Sequence, residues 1–290
     1  MKTLRHLSLL IIFCCLFSTT SAQYVTIPDA NFVTWLQAEY PTCMNGNQMD
    51  TTCQQILSPL NFNLTASSIT DLTGIEYFDN LVAIFITDGS ISNIRAFPPN
   101  LKSIQIESTP LTSLPALPSQ LEQLFVSENR LTQLPLLPST LNYLSCGGNP
   151  LTNLPTLPVA LINLYCNNSD VTSLPTLPPN LFFLDCQSTP ISILPPLSAR
   201  LRSLVCGGAQ LTGIPSPLPD TLEILECNEG TFTTLPLLPS TLKTLNVTNV
   251  SLDSLPALPA GLKDLYVVDD QLSFLPALPN SLTSLICNNN

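Results

Sequence analysis

Leucine returns at every twentieth position over most of this chain, and that period restricts the fold more than any other property of the sequence. Leu101, Leu121, Leu141, Leu161, Leu181 and Leu201 are spaced by 20 residues, and after one inserted residue the series resumes at Leu222, Leu242, Leu262 and Leu282. Successive units read LEQLFVSENRLTQLPLLPST, LNYLSCGGNPLTNLPTLPVA and LINLYCNNSDVTSLPTLPPN. The insertion falls in Pro215-Ser216-Pro217-Leu218-Pro219, a loop sequence. Earlier units are looser: Phe62, Leu64, Ile69 and Leu72 keep the phase in a 22-residue unit starting near Pro59, and Leu81, Ile84, Ile86, Ile91 and Ile94 make the next.

Each unit directs Leu121, Leu124, Val126, Leu131, Leu134 and Leu137, or their equivalents, inward. No single unit of this size can bury them, so the units must stack. Leu124-Phe125-Val126 alternates in, out, in, as a short strand does, and stacking places successive strands in parallel register along one face. The following Leu-Pro-x-Leu-Pro lacks two amide hydrogens and cannot continue a helix or a central strand, so an extended path on the opposite side is expected.

The repeat L-x-x-L-x-[V/C]-x-x-N-x-L-T-x-L-P-x-L-P resembles the bacterial LPX class of leucine-rich repeats, over roughly residues 59–290. The expected fold is an α/β repeat solenoid dominated by short parallel strands: a leucine-rich-repeat horseshoe of about 12 units, the last incomplete, with an extended proline-rich convex side. In this class the ninth-position asparagine bonds neighbouring backbone along a ladder. Asn129 and Asn149 keep it, whereas Ser169, Thr189, Ala209 and Gly230 replace it, which implies a weaker ladder in the middle.

Residues 23–58 fall outside the period and are expected to form a small N-terminal helical cap. Pro28 and Asp29 mark a helix start, and Phe32, Trp35, Leu36 and Tyr40 recur at helical spacing before Pro41. The Ile27-Pro28-Asp29-Ala30-Asn31-Phe32 segment also resembles the lead-in of exported bacterial leucine-rich-repeat proteins that carry type IX sorting signals.

Residues 1–22 carry Lys2 and Arg5, an apolar run from Leu7 to Phe17, and small residues before Ala22. This is the pattern of a secretory signal peptide, and the run is too short to cross a bilayer. The mature protein is therefore expected to be secreted or at the cell surface, with no transmembrane span. Lys+Arg 9 less the two in the leader gives 7 against Asp+Glu 20, a mature charge of 7 − 20 = −13. Such a chain repels phosphate backbones, so nucleic acid is not an expected partner. The only histidine, His6, leaves with the leader, which removes histidine-based triads and histidine-ligated metals; no metal and no cofactor is expected.

Of 10 cysteines, Cys14 and Cys15 lie in the leader. Cys43 and Cys53 flank a short polar stretch, and in an exported protein such a pair is most simply a disulfide. The polar stretch offers a weak calcium-loop alternative through Asn45, Asn47 and Asp50, without the closing glutamate. Cys146, Cys166, Cys186, Cys206, Cys227 and Cys287 all occupy the sixth position, which Val126, Val247 and Val267 fill elsewhere. That exchange marks a small buried apolar site, and free buried thiols are expected over bridges or metal.

Positions two, three and five of each unit are expected to face outward on the concave side. Phe125, Tyr143, Ile162, Tyr165, Phe182 and Phe183, with Asp185 at their border, put large groups there with no core to fill. The expected function is a non-enzymatic binding module that recognises a protein or a glycan on this face. A structural or adhesive spacer that presents another domain is the alternative. The repeats also resemble those of LPX effectors that carry a separate ubiquitin-ligase domain, but no non-repeat segment is long enough to hold one and no Cys-x-Asp nucleophile occurs. Because the sequence stops midway through a unit at Asn290, a further covering segment is expected to follow, and the resemblance implies a sorting domain.

Overall fold

The computed structural model describes residues 23–208 and 210–290; the leader reading falls outside them. One parallel sheet of twelve strands runs through the repeats in strict chain order, and a separate three-stranded sheet belongs to the N-terminal cap. The cap holds β1 (Tyr24–Thr26), the helix α1 (Ala30–Glu39), β2 (Met44–Asn45) and β3 (Gln48–Asp50). The repeat strands are β4 (Asn61–Thr65), β5 (Ala83–Thr87), β6 (Ser103–Glu107), β7 (Gln123–Phe125), β8 (Tyr143–Ser145), β9 (Asn163–Tyr165), β10 (Phe183–Asp185), β11 (Ser203–Gly207), β12 (Ile224–Asn228), β13 (Thr244–Thr248), β14 (Asp264–Val268) and β15 (Ser284–Ile286). Every adjacent pair is parallel and in register by equivalent positions, as in Leu124↔Leu144 and Leu184↔Leu204. In the central units the strand begins and ends one residue earlier than the alternation suggests, at positions three to five. Among the described residues no helix is long and apolar enough to cross a membrane.

The core is the inward stripe of the repeat. Leu121, Leu124, Val126 and Leu131 are fully buried, as are Leu141, Leu144, Cys146 and Leu151 one unit on, and Leu134 is nearly so. Leu137 is only partly buried, because it sits on the proline side where the Leu-Pro-x-Leu-Pro stretch carries neither helix nor strand. The eighth residue of most units takes a left-handed conformation whatever its type: Ser108, Glu128, Asn168, Ser188, Glu229, Asn249 and Asp269 all have φ between 51° and 60°. This is where the chain turns out of the strand, and its amide still bonds the next unit, as in Glu128 N–H to the Gly147 carbonyl at 2.9 Å.

The ladder at position nine divides by residue type. Asn129 Nδ2 donates to the carbonyls of Ile106, Val126 and Ser127, and its Oδ1 accepts from Thr109 N–H, so one side chain ties two units. Asn149 likewise donates to Val126, Cys146 and Gly147 and accepts from Leu131 N–H. Ser169 and Thr189 reach only the carbonyl of their own sixth residue, Cys166 and Cys186. In these middle units position nine therefore gives no side-chain rung between units. At Asp270 the fault is different: Oδ1 accepts from Val250 and Leu252 N–H, the acceptor's part of the asparagine pattern, while buried Oδ2 has no partner where an amide would donate.

The cap is more than a helix. The polar stretch between Cys43 and Cys53 holds a hairpin, Met44–Asp50, turning at Gly46 (φ 61°), and β3 pairs with both β1 and β2. The short loop lets the chain reverse with only a left-handed glycine. Cys43 and Cys53 form a disulfide across its base, and the Asp50 carboxylate is engaged by Thr52 N–H and Oγ1. The helix docks through rings: Phe32 and Trp35 meet Phe62 of β4 at 6.3 and 5.1 Å, and Tyr40 meets Phe78 at 5.6 Å. Asp29 joins the two parts. Its Oδ1 caps the helix by accepting from Asn31 and Phe32 N–H, and Oδ2 accepts from Thr70 N–H and Oγ1 and from Asp71 N–H. Burial alone would raise its pKa, but these hydrogen bonds together outweigh burial and hold the carboxyl below its ordinary value.

Two outcomes follow. Asp29→Ala should lower stability by about 1–2 kcal/mol at pH 7 by loss of the cap. The lowered pKa makes the wild-type advantage complete above the ordinary carboxylate range and lost as the pH falls through the folded value, which urea titrations at pH 7 and pH 3 will read. Asp270→Asn should raise stability by about 1–3 kcal/mol, because Nδ2 gives donors to carbonyls that Oδ2 cannot serve; a variant melting below wild type would refute this account of the ladder.

Candidate binding face

Positions three and five of successive strands carry an alternation that the registers make geometric. Phe125 stands on the fifth position of β7, Tyr143 on the third of β8, Tyr165 on the fifth of β9 and Phe183 on the third of β10. Directly opposite them across the ladder lie Ser145, Gln123 and Asn163, and Asp185 beside Tyr165. Each ring therefore leans diagonally onto the next rather than onto its in-register partner, a spacing that aromatic side chains can span. Ring centroids are 4.6 Å apart for Phe125–Tyr143, 5.4 Å for Tyr143–Tyr165 and 4.5 Å for Tyr165–Phe183, with planes within 33° of one another. Four units thus share one continuous stack, and each of its rings is half-buried.

Burial pushes the Tyr143 hydroxyl well above the usual phenol range, helped by the Tyr165 hydroxyl beside it and by the charge of Glu107. Tyr143 therefore presents a neutral hydroxyl at neutral pH. Asp185 ends the row. Burial raises its pKa, the Glu226 carboxylate two strands away raises it further, and the hydrogen bond from Gln187 N–H partly offsets both.

Ile162 and Phe182 are not part of this stack. They occupy position two, just before β9 and β10, and line a separate hollow of about 390 Å³ with Ala160, Asn180 and Arg200. The Arg202 guanidinium lies 5.3 Å from the Phe182 ring centroid. The sequence reading missed both arginines, although Arg200 at the last position of its unit and Arg202 at position two of the next were available as signals. Two nearby glutamates are paired. Glu122 pairs with Lys102 at 3.0 Å, and Glu223 pairs with both Arg202 and Lys243 at 3.0 and 2.6 Å. Position two thus carries ion pairs on either side of Asn142, Ile162 and Phe182, while Asp185 and Glu226 are in no salt bridge.

Parallel strands in register, a leucine stripe shared between units and an asparagine ladder define the chain as a leucine-rich-repeat solenoid. Neither a family model nor a curated protein sequence matches it. Among solved structures it is similar to YopM from Yersinia enterocolitica, with 30% identity and a TM-score of 0.71 over 77% of this chain and 54% of that one. YopM from Yersinia pestis, described as a leucine-rich effector protein, gives 27% identity and a TM-score of 0.67 over 77% of this chain and 69% of that one. An internalin from Listeria monocytogenes, at 17% identity and a TM-score of 0.58 over 85% and 84% of the two chains, shares the fold. All three are bacterial leucine-rich-repeat proteins. The chain spans about half the length of the first.

Asp185 gives a test of the face that needs no ligand. A carboxyl whose folded pKa is raised is a stability cost when charged, and that cost falls away as the pH drops through the folded value. Asp185→Asn keeps the acceptor for Gln187 N–H and should be slightly more stable than wild type at pH 7, with the two curves converging in acid. Equal or lower stability at pH 7 would remove the argument that this charge is held against the interest of the fold.

Proposed function

We propose that this chain is an exported, non-enzymatic binding module, secreted or held at the cell surface, whose ligand is a protein seated on the stack of Phe125, Tyr143, Tyr165 and Phe183. The observation that carries this is the stack itself. It lies on the open side of the sheet, where aromatic side chains have no core to fill, and large rings of low conformational entropy are where binding energy concentrates. A costly charge at Asp185 on its border supports the same reading, since perturbed groups cluster at functional sites.

The stack also favours a protein over a glycan. Sugars pack on open ring faces, whereas here Tyr143 and Tyr165 each have a ring neighbour on both sides within 5.4 Å, which leaves edges and hydroxyls for a partner. Edges and hydroxyls suit apolar side chains and backbone carbonyls of a protein. Asp185 and Glu226 favour a basic group on the partner at that end.

The experiment is affinity capture with the wild-type chain and the Tyr165→Ala/Phe183→Ala variant side by side, followed by titration of whatever the wild type retains. The double variant should fold, since both side chains point away from the leucine core, and should bind more weakly by about 2 kcal/mol or more. A partner protein held equally by both chains places the binding surface elsewhere.

A further inference from the structure

The sixth positions of β8 to β12 form an unbroken column of thiols, Cys146, Cys166, Cys186, Cys206 and Cys227, all buried and free in this structure, with half-exposed Cys287 further on. The sequence gives no reason to separate them, since each pair of neighbours has the same place in the repeat. The structure does. Cys206 Sγ and Cys227 Sγ are 2.9 Å apart, closer than unbonded sulfur atoms rest, whereas Cys146 Sγ faces the Tyr165 carbonyl at 3.4 Å.

Two further features fall on the same junction. Gly207, with φ 156°, lies against the Asn228 backbone so closely that a Cβ there would overlap it, so β11 and β12 approach each other beside the two sulfurs. A glycine is what permits that approach. Position nine supplies no rung here: it is Ala209 and Gly230 in the two units, neither able to make one with its side chain, and the residue inserted into the 20-residue series lies between them at Pro215–Pro219. Directly paired residues on neighbouring strands, about 4.8 Å apart, fall within the Cα separations that a disulfide spans.

We propose that Cys206 and Cys227 form an inter-repeat disulfide when the chain folds in an oxidising environment, as a covalent rung at a junction whose position nine supplies none. The oxidant is a small-molecule or protein disulfide. One cysteine thiolate attacks it, forming a mixed disulfide and releasing the first thiol. The second thiolate then attacks the protein sulfur of that mixed disulfide, closing the Cys206–Cys227 bond and releasing the second thiol. Two protein thiols are oxidised, one disulfide is reduced to two thiols, and the two protons end on the released thiols. The mutual hydrogen bond and burial push the folded Cys206 thiol far above its ordinary range, so the bond closes during folding, before these units are packed. This cross-link does not depend on what the aromatic stack binds.

The test is refolding of the full chain from the reduced, denatured state in a glutathione redox buffer, then alkylation under denaturing, non-reducing conditions and peptide mapping by mass spectrometry. Of the six cysteines free in this structure, 6 − 2 = 4 should be modified, at Cys146, Cys166, Cys186 and Cys287, with one linked peptide pair carrying Cys206 and Cys227. The Cys206→Ser variant refolded in the same way should leave Cys227 modified and create no new linked pair in the column. Six modified thiols in the folded wild type, or a link between any other two column cysteines, overturns the proposal. If the refolded yield is low, the same mapping on chain exported by a host with an oxidising periplasm decides it by the same outcomes.

Discussion

Everything in this protein rests on the fact that one unit cannot bury its own leucines. A stretch of twenty residues with leucine at positions one, four and eleven has an apolar side that only an identical neighbour can cover, and the fully buried series from Leu101 to Leu265 is the result. Stability is then a chain of nearest-neighbour terms, so a weak junction is not compensated by strong ones far away. This makes the polar rungs matter beyond their number. Asn129 and Asn149 each bond across two units, whereas Ser169 and Thr189 bond only their own; rungs between units return at Asp270 and Asn290.

The same logic explains how the first unit is finished. The first unit is covered by a cap that borrows devices from small exported domains: a disulfide, a hairpin and an aromatic cluster, with Asp29 serving the helix and the first repeats at once. The column of thiols in the middle is apolar where the rungs are poor. A thiol at position six fills the place of valine without branching, and it leaves room for neighbouring strands to close where glycine allows it, as at Gly207.

The period, the parallel stacking and the inward positions were legible in the sequence because a leucine every twenty residues has only one way to be buried. What escaped had no residue-type signature. The left-handed eighth position is occupied by serine, glutamate, asparagine or aspartate without preference for glycine, because its conformation is imposed by the turn out of the strand rather than chosen by the side chain. Met44–Asp50 reads as a polar loop because a two-stranded hairpin this short has no alternation to detect. Among the face residues, Phe125, Tyr143, Tyr165 and Phe183 could be named from their positions, and their alternation between five and three was present in the sequence. Ile162 and Phe182, at position two just before the strand, take no part in the stack and line a hollow of their own.

That separation bears on how such a face acquires a ligand. Positions three and five are free of the core and can change one at a time without disturbing a leucine. A stack, however, needs an aromatic on alternate positions of consecutive units with a small or polar residue opposite each. Ser145 and Asn163 meet the second requirement and the four rings the first. Isolated exposed aromatics would carry no such correlation, since nothing in the burial of the leucines relates position five of one unit to position three of the next. The pattern is therefore a property of the face and not of the fold. Its length, four units between polar Gln105 and Val205, fixes the length of partner surface it can engage: three inter-strand steps of about 4.8 Å, or roughly 14 Å, the span of about ten residues of helix or four of extended chain. On the proposed reading, a short recognition element lying along the solenoid matches this length.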